Sequence, residues 1–206
     1  MLKELKQQLV KDTIIKETKR QLLEKGLQKT TLRGIAKELG MAFGNIYYYF
    51  KSKADIADMV WADYTHDYLS IFIEKMKETK WQSKSGMEKL RFYYLNLYSY
   101  FKANPLYADL IAFLMGSKPR SVRAPQEIID IADAARAAIK AVIIDLYEQA
   151  IADGSINAEI KNVTLEAWSF NVAYVALIIN LTRYDDADME LHDYYINTYF
   201  DRLEGV

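Results

Sequence analysis

Cysteine is absent from the 206 residues. Disulfides, a thiolate nucleophile and Cys-ligated zinc or iron–sulfur sites are thereby excluded. Only 8 glycines and 3 prolines are present. An all-β chain needs many turns, and turns use those two residues, so the chain reads as long helices with few connections. The two histidines, His66 and His192, leave little for an imidazole metal site or a Ser-His-Asp triad. Long apolar runs are missing as well. The longest, Val172 to Ile179, has eight residues, against the ~20 that a membrane-spanning helix needs. The N-terminal stretch MLKELKQQLVKDTIIKETKR is charged throughout and holds no signal-peptide core. A cytoplasmic protein without membrane contact is the expectation.

What is present is a globular composition, 51% hydrophobic and 27% charged. The formal net charge of −1 hides an asymmetry. Residues 1–60 carry 12 Lys and Arg against 7 Asp and Glu, and the remainder carries 15 against 21. A basic first quarter on an acidic remainder points the N-terminal part toward a polyanion.

Apolar residues recur at helical spacing from about Leu5 to Lys25 (Leu9, Ile14 or Ile15, Thr18, Leu22, Leu23), and Gly26 follows where a left-handed terminal residue is favoured. Thr30-Thr31 offers a hydroxyl cap for a short helix over Leu32–Leu39, ended by Gly40. A second short helix spans about Phe43 to Tyr49. Ser52, with Asp55 three residues on, caps a helix continuing to about Glu78. Further helices are expected at Ser85–Ala103, Leu106–Met115, Pro125–Asp153, Val163–Arg183 and Asp188–Leu203. Loops are expected at 116–120, 153–155 and 184–186. Strand alternation is nowhere convincing.

Ala36, Gly40 and Ile46 stand four and six residues apart. A helix-turn-helix needs a small residue where its helices cross, a glycine in the turn, and a branched apolar residue packing the second helix back. All three occur here in order, with Ile35, Leu39 and Leu32 adding to the buried face. The second helix of such a unit reads base edges in the major groove with its first residues. Here those are Ala42, Phe43, Gly44 and Asn45. Asn45 suits adenine, and Ala42 and Phe43 suit a thymine methyl. One of Tyr47, Tyr48 and Tyr49 should point inward, leaving the others to offer hydroxyls to phosphates. Lys51 and Lys53, near a helix start with free N–H groups, favour an anion, as do Thr31 and Arg33.

Residues from about 14 to 61 resemble the DNA-binding region of TetR/AcrR-family transcriptional regulators. The resemblance rests on Gly26, Thr30-Thr31, Ile35-Ala36, Gly40-Met41-Ala42, Ile46-Tyr47-Tyr48-Tyr49-Phe50 and Ser52-Lys53. It implies an all-α protein: a three-helix DNA-binding domain over residues 1–52 and a helical effector-binding and dimerisation domain over 53–206. It also implies a homodimeric repressor, released from a near-palindromic operator by a small molecule, with no catalytic activity and no cofactor. By position, Thr31, Tyr49 and Lys53 match phosphate-contacting residues of the family, Phe43 and Asn45 base-facing ones, and Tyr47 and Phe50 structural ones. Two departures stand out. Ala42 occupies the place of a capping Ser or Thr, at a cost of ~1 kcal/mol, and Gly34 the place of an acidic residue.

Residues 61–206 show no catalytic constellation. Asp63-Tyr64-Thr65-His66 looks like half of a carboxylate-x-x-His metal motif, but Glu190 and His192 have the wrong spacing for a second half, so no metal is expected. Aromatics cluster at residues 92–113 and again at 168–174. Most belong to helix core, and some can line a pocket between helices. The candidates for that pocket are Tyr94, Asn96, Tyr98, Phe101, Phe113, Met115, Trp168, Asn171 and Tyr174. For self-association the candidates are 163–183, apolar on nearly every side from Val172, and 188–203, with Leu191, Tyr195, Tyr199 and Leu203 at three- and four-residue steps. Two other function classes compete: a metal-dependent helical enzyme, and a protein-interaction module that has kept the fold without reading DNA.

Overall fold

The computed structural model describes residues 2–116, 124–183 and 189–205. Among these the chain forms ten helices and no strand. They are α1 (Leu2–Lys29), α2 (Leu32–Glu38), α3 (Phe43–Tyr49), α4 (Lys53–Met76), α5 (Thr79–Gln82), α6 (Gly86–Ala103), α7 (Pro105–Gly116), α8 (Gln126–Ala152), α9 (Val163–Arg183) and α10 (Met189–Glu204). The chain divides into two compact units: Met1–Tyr64 with Asp109–Ala134, and Thr65–Ala108 with Ala135–Val206. The boundary expected at 52/53 therefore falls inside the first unit. The loop expected at 116–120, beyond Gly116, and the turn at 184–186 lie outside the described residues.

In the first unit, α1 buries Ile14, Thr18, Gln21 and Leu22. Thr18 Oγ1 donates to the Ile14 carbonyl (2.7 Å), so burying that hydroxyl leaves nothing unpaired. Leu9 and Leu23, expected on this face, are exposed. They stand five and nine residues from Ile14, which at about 100° per residue turns them some 140° and 180° away. Gly26 has φ 73° and ψ 167°, which breaks α1 before its last turn. There Thr30 Oγ1 donates to the Gly26 carbonyl at 3.0 Å.

Thr31 accepts from the Gly34 N–H (3.0 Å) and caps α2. Gly40, at φ 61°, turns the chain, and the Met41 N–H reaches back to the Ala36 carbonyl at 2.9 Å. Ile35, Ala36, Ile46 and Phe50 are buried and fix α3 on α2. Each large apolar side chain of that set contributes roughly 1.5–3 kcal/mol. Helix α4 starts on a reciprocal cap. Ser52 Oγ accepts from the Asp55 N–H (3.2 Å), and Asp55 accepts from the N–H groups of Lys51 (2.7 Å) and Ser52 (3.1 Å). It ends at Met76, two residues short of the expected Glu78, and the four-residue α5 that follows had no clear sequence signal.

In the second unit, α6 opens with a capping box between Ser85 and Glu88. Gly86 then packs against α8 so closely that a Cβ would lie 2.2 Å from the Ala150 nitrogen. The freed N–H groups of Gly86 and Met87 are taken by Asp153 Oδ2 (2.6 Å) and Ser155 Oγ (3.1 Å) of the expected turn, where Gly154 has φ 74°. The core of the unit takes Leu90, Tyr93, Tyr94, Leu97 and Phe101 from α6 and Phe170, Tyr174 and Ile178 from α9, all buried. Helix α10 turns His192, Ile196, Phe200 and Leu203 inward. The expected stripe of Leu191, Tyr195, Tyr199 and Leu203 is thus off by one residue over most of its length: Leu191 is exposed and Leu203 is fully buried. Helix α9 is long and apolar enough to cross a membrane by length and composition, a test that the core helix of a globular unit also passes. One of its faces is buried within the second unit.

Candidate nucleic-acid interface

Helix α3 starts without a side-chain cap, because Ala42 has no acceptor to offer. Its first turn leaves Phe43, Gly44 and Asn45 exposed, and a Cβ on Gly44 would meet nothing within 4 Å. Phe43 does not stand alone. The Arg33 guanidinium lies over its ring at 5.5 Å, and the Tyr47 ring lies 5.8 Å away. Lys51 Nζ in turn sits 4.8 Å from the centre of the Tyr47 ring. Positions 43, 47 and 51 step four residues at a time, so one face of the unit carries two aromatic rings flanked by two cations. A cation over a ring is held in place while its charge still faces water, which suits a surface that meets a polyanion.

The remaining predicted residues fall into place unevenly. Tyr48 is exposed and Tyr49 half-buried, their rings edge to face at 5.0 Å. None of the three tyrosines points into the core. Tyr47, expected to be structural, is 42% exposed, and Ile46 and Phe50 take the inward positions on either side. Lys51 Nζ donates to the carbonyls of Tyr47 (2.5 Å) and Tyr48 (3.2 Å), closing the end of α3. Lys53 Nζ donates to the Gln28 carbonyl at 3.2 Å, and partial burial pulls its pKa down. Just before α4, the N–H groups of Lys51 and Ser52 are taken by Asp55. Thr31 holds Gly34 with its oxygen, leaving its hydroxyl proton to give. The Arg33–Phe43 pair was not legible from spacing, since the two residues belong to different helices.

Residues 14–60 match the family described as bacterial regulatory proteins, tetR family. Over this stretch, about a quarter of the chain, the protein is similar to that family. A Haemophilus influenzae protein described as an uncharacterized HTH-type transcriptional regulator is 27% identical over 94 residues. That match spans 46% of this chain and about half, 48%, of the relative. Solved structures share the all-α fold over nearly the whole chain. The fatty acid degradation regulator FadR from Bacillus halodurans is 17% identical, with 94% of this chain and 95% of that one covered and a TM-score of 0.60. FadR from Bacillus subtilis, in complex with stearoyl-CoA, is 18% identical with coverages of 94% and 95% and a TM-score of 0.62. A TetR-family regulator from Agrobacterium tumefaciens is 16% identical with coverages of 93% and 96% and a TM-score of 0.65. The matched stretch ends within α4.

Of the nine pocket candidates, the structure places seven in the second unit. Tyr94, Tyr98, Phe101, Asn171 and Tyr174 are buried there. Asn96 and Trp168 are half-buried, Trp168 beneath Lys140 at 4.8 Å. Phe113 and the exposed Met115 belong to the first unit, because α7 passes from one unit to the other between Ala108 and Asp109. Most buried hydroxyls of the second unit have partners. Tyr68 donates to the Tyr93 carbonyl (2.8 Å), Tyr174 to the Tyr94 carbonyl (3.0 Å), and Thr65 meets Tyr107 (3.0 Å). The Tyr94 hydroxyl and Asn171 Oδ1 have none. Burial pushes the Tyr94 pKa well up, so this hydroxyl keeps its proton. Asp63 pairs with Lys19, away from any metal role. Among the described residues no group of three His, Asp or Glu side chains gathers as a metal site.

Proposed function

We propose that the protein is a DNA-binding transcriptional regulator that acts as a homodimer and leaves its operator when a small molecule binds the second unit. The observation that carries this reading is the exposed face of α3, with Arg33, Phe43, Tyr47 and Lys51 in one stripe beside Gly44 and Asn45. Phe43 and Asn45, with Ala42, would meet base edges. Thr31, Arg33, Tyr48, Tyr49, Lys51 and Lys53 would meet phosphates, and the cell compartment is the cytoplasm, where that DNA lies. Two heads about 34–36 Å apart suit half-sites one turn of DNA apart. For dimer contacts, α9 offers exposed Leu165 and Val172, and α10 exposed Leu191 and Tyr194.

The unpartnered Tyr94 hydroxyl and Asn171 carbonyl support an effector site in the second unit, since a buried polar group without a partner costs stability that a ligand can restore. The stearoyl-CoA complex of the Bacillus subtilis protein makes long-chain acyl-CoA the first effector class to test. An effector acts only through a higher affinity for the DNA-free form. The decisive experiment is a mobility-shift assay on the DNA upstream of the protein's own coding region, repeated across salt concentrations. A steep loss of affinity with salt is expected. A flat response, or no shift at all, overturns the reading and favours an interaction module.

A further inference from the structure

A cavity of about 310 Å³ opens within the first unit, against the end of α3. Helix α1 contributes Gln7 and Lys11, the end of α3 contributes aromatic walls from Tyr48 and Tyr49, and the start of α8 contributes Glu127 and Ile128. Its size is at the lower end of what small-molecule pockets need, and its make-up is theirs: mostly apolar and aromatic, with a few charged groups converging.

The charges select the occupant. Lys11 pairs with Glu127, whose side chain is 54% exposed. The Lys11 side chain is only 17% exposed, so an incoming carboxylate that displaces the half-exposed Glu127 must take its place on Lys11 and leave that ammonium paired. Lys51 also lines the cavity, its ammonium held on the Tyr47 and Tyr48 carbonyls, so the lining residues carry two positive charges against one negative. One negative charge on the ligand balances that surplus; a neutral arene leaves it standing, and a multiply charged ligand overshoots it. The Tyr48 and Tyr49 rings and the Ile128 side chain ask for a flat apolar body.

We propose that this cavity binds a compact monoanionic aromatic acid, its carboxylate on Lys11 and its ring against Tyr48 and Tyr49. The site is separate from the effector site of the second unit. Because Tyr48, Tyr49 and Lys51 also stand among the residues set toward DNA, an occupant brings negative charge to that surface and opposes the DNA backbone.

Calorimetric titration of the full chain with naphthalene-2-carboxylate, and with 2-naphthamide as its uncharged counterpart, tests this. One-to-one binding is expected, at least tenfold tighter for the carboxylate. Lys11→Met should erase that preference. Ile128→Trp and Gln7→Trp should each fill the cavity and abolish binding, the second from a half-buried position on the rim that tolerates bulk if the first fails to fold. Tyr94→Phe, in the second unit, should leave binding unchanged. Absence of binding at millimolar concentration overturns the proposal, as does binding that survives both tryptophan variants or is lost in Tyr94→Phe. None of these readouts requires DNA, so they stand or fall apart from the regulator reading.

Discussion

The Arg33 guanidinium rests 5.5 Å from the centre of the Phe43 ring, joining α2 to the exposed tip of α3. At an exposed site such a pair is worth about 0.5–1 kcal/mol. It holds a cation beside the residues proposed to face the bases. Phe43→Ala should therefore weaken binding to the specific site several-fold and leave thermal stability nearly unchanged, since Phe43 is 40% exposed. Fluorescence anisotropy on labelled operator DNA, with a melting curve alongside, checks both halves.

The two short helices of the head differ in their caps. Thr31 caps α2 through the Gly34 N–H, and Ala42 leaves α3 uncapped. Thr31→Ala should lower stability by about 1 kcal/mol, and Ala42→Ser should raise it by a similar amount. Urea denaturation midpoints at constant slope would show the two opposite shifts.

Gly86 stands where a methyl group would collide with the Ala150 backbone at 2.2 Å. No rotamer relieves a clash with backbone. Gly86→Ala should cost about 3 kcal/mol, at the upper end of the overpacking range, and the loss should appear as a lower unfolding midpoint.

Tyr94 carries a buried hydroxyl without a partner. Tyr94→Phe removes a group whose burial costs about 1–3 kcal/mol when unpaired. The variant should be at least as stable as the parent without effector, and should respond less to one. Thermal shifts with and without an acyl-CoA separate this from a packing role, in which the variant would simply be weaker.

The Asp153 carboxyl is held below its ordinary pKa by the Ser155 side chain and the Gly86 N–H. A depressed folded-state value means that its contribution is complete above the unfolded-state pKa and is lost as pH falls through the folded one. Acid should therefore loosen the joint between α6 and α8. Asp153→Asn should flatten that dependence in stability measured from neutral pH downward.

Much of the head was legible in the sequence because its signals are local. Thr31 before a helical period, Gly40 in the turn and Ser52 with Asp55 each act within four residues of themselves, and each appears where spacing places it. The interior of the second unit was harder. Helix α10 carries two competing stripes, and the one that is buried includes a histidine. His192 is accommodated by Tyr174 at 3.0 Å and by stacking on Tyr98 at 4.3 Å, contacts from other helices that periodicity cannot register. Phe113 and Met115 lie near the pocket candidates of α6 in sequence, but α7 carries them into the other unit. The stripe from Arg33 to Lys51 escaped for the same reason, since its first step crosses between helices.

Helix α3 is seven residues long, far shorter than a helix that persists alone in water. Its only buried side chain, Ile46, lies at its midpoint, the buried Phe50 closes its C-terminal end, and Ala42 leaves its first turn uncapped, so its anchored end is the one away from the turn proposed to face the bases. The uncapped first turn should be the end that frays, with amide exchange there fast in the free protein and slow on DNA. Recognition would then include an ordering step, visible as an entropy loss larger than the contact surface alone explains.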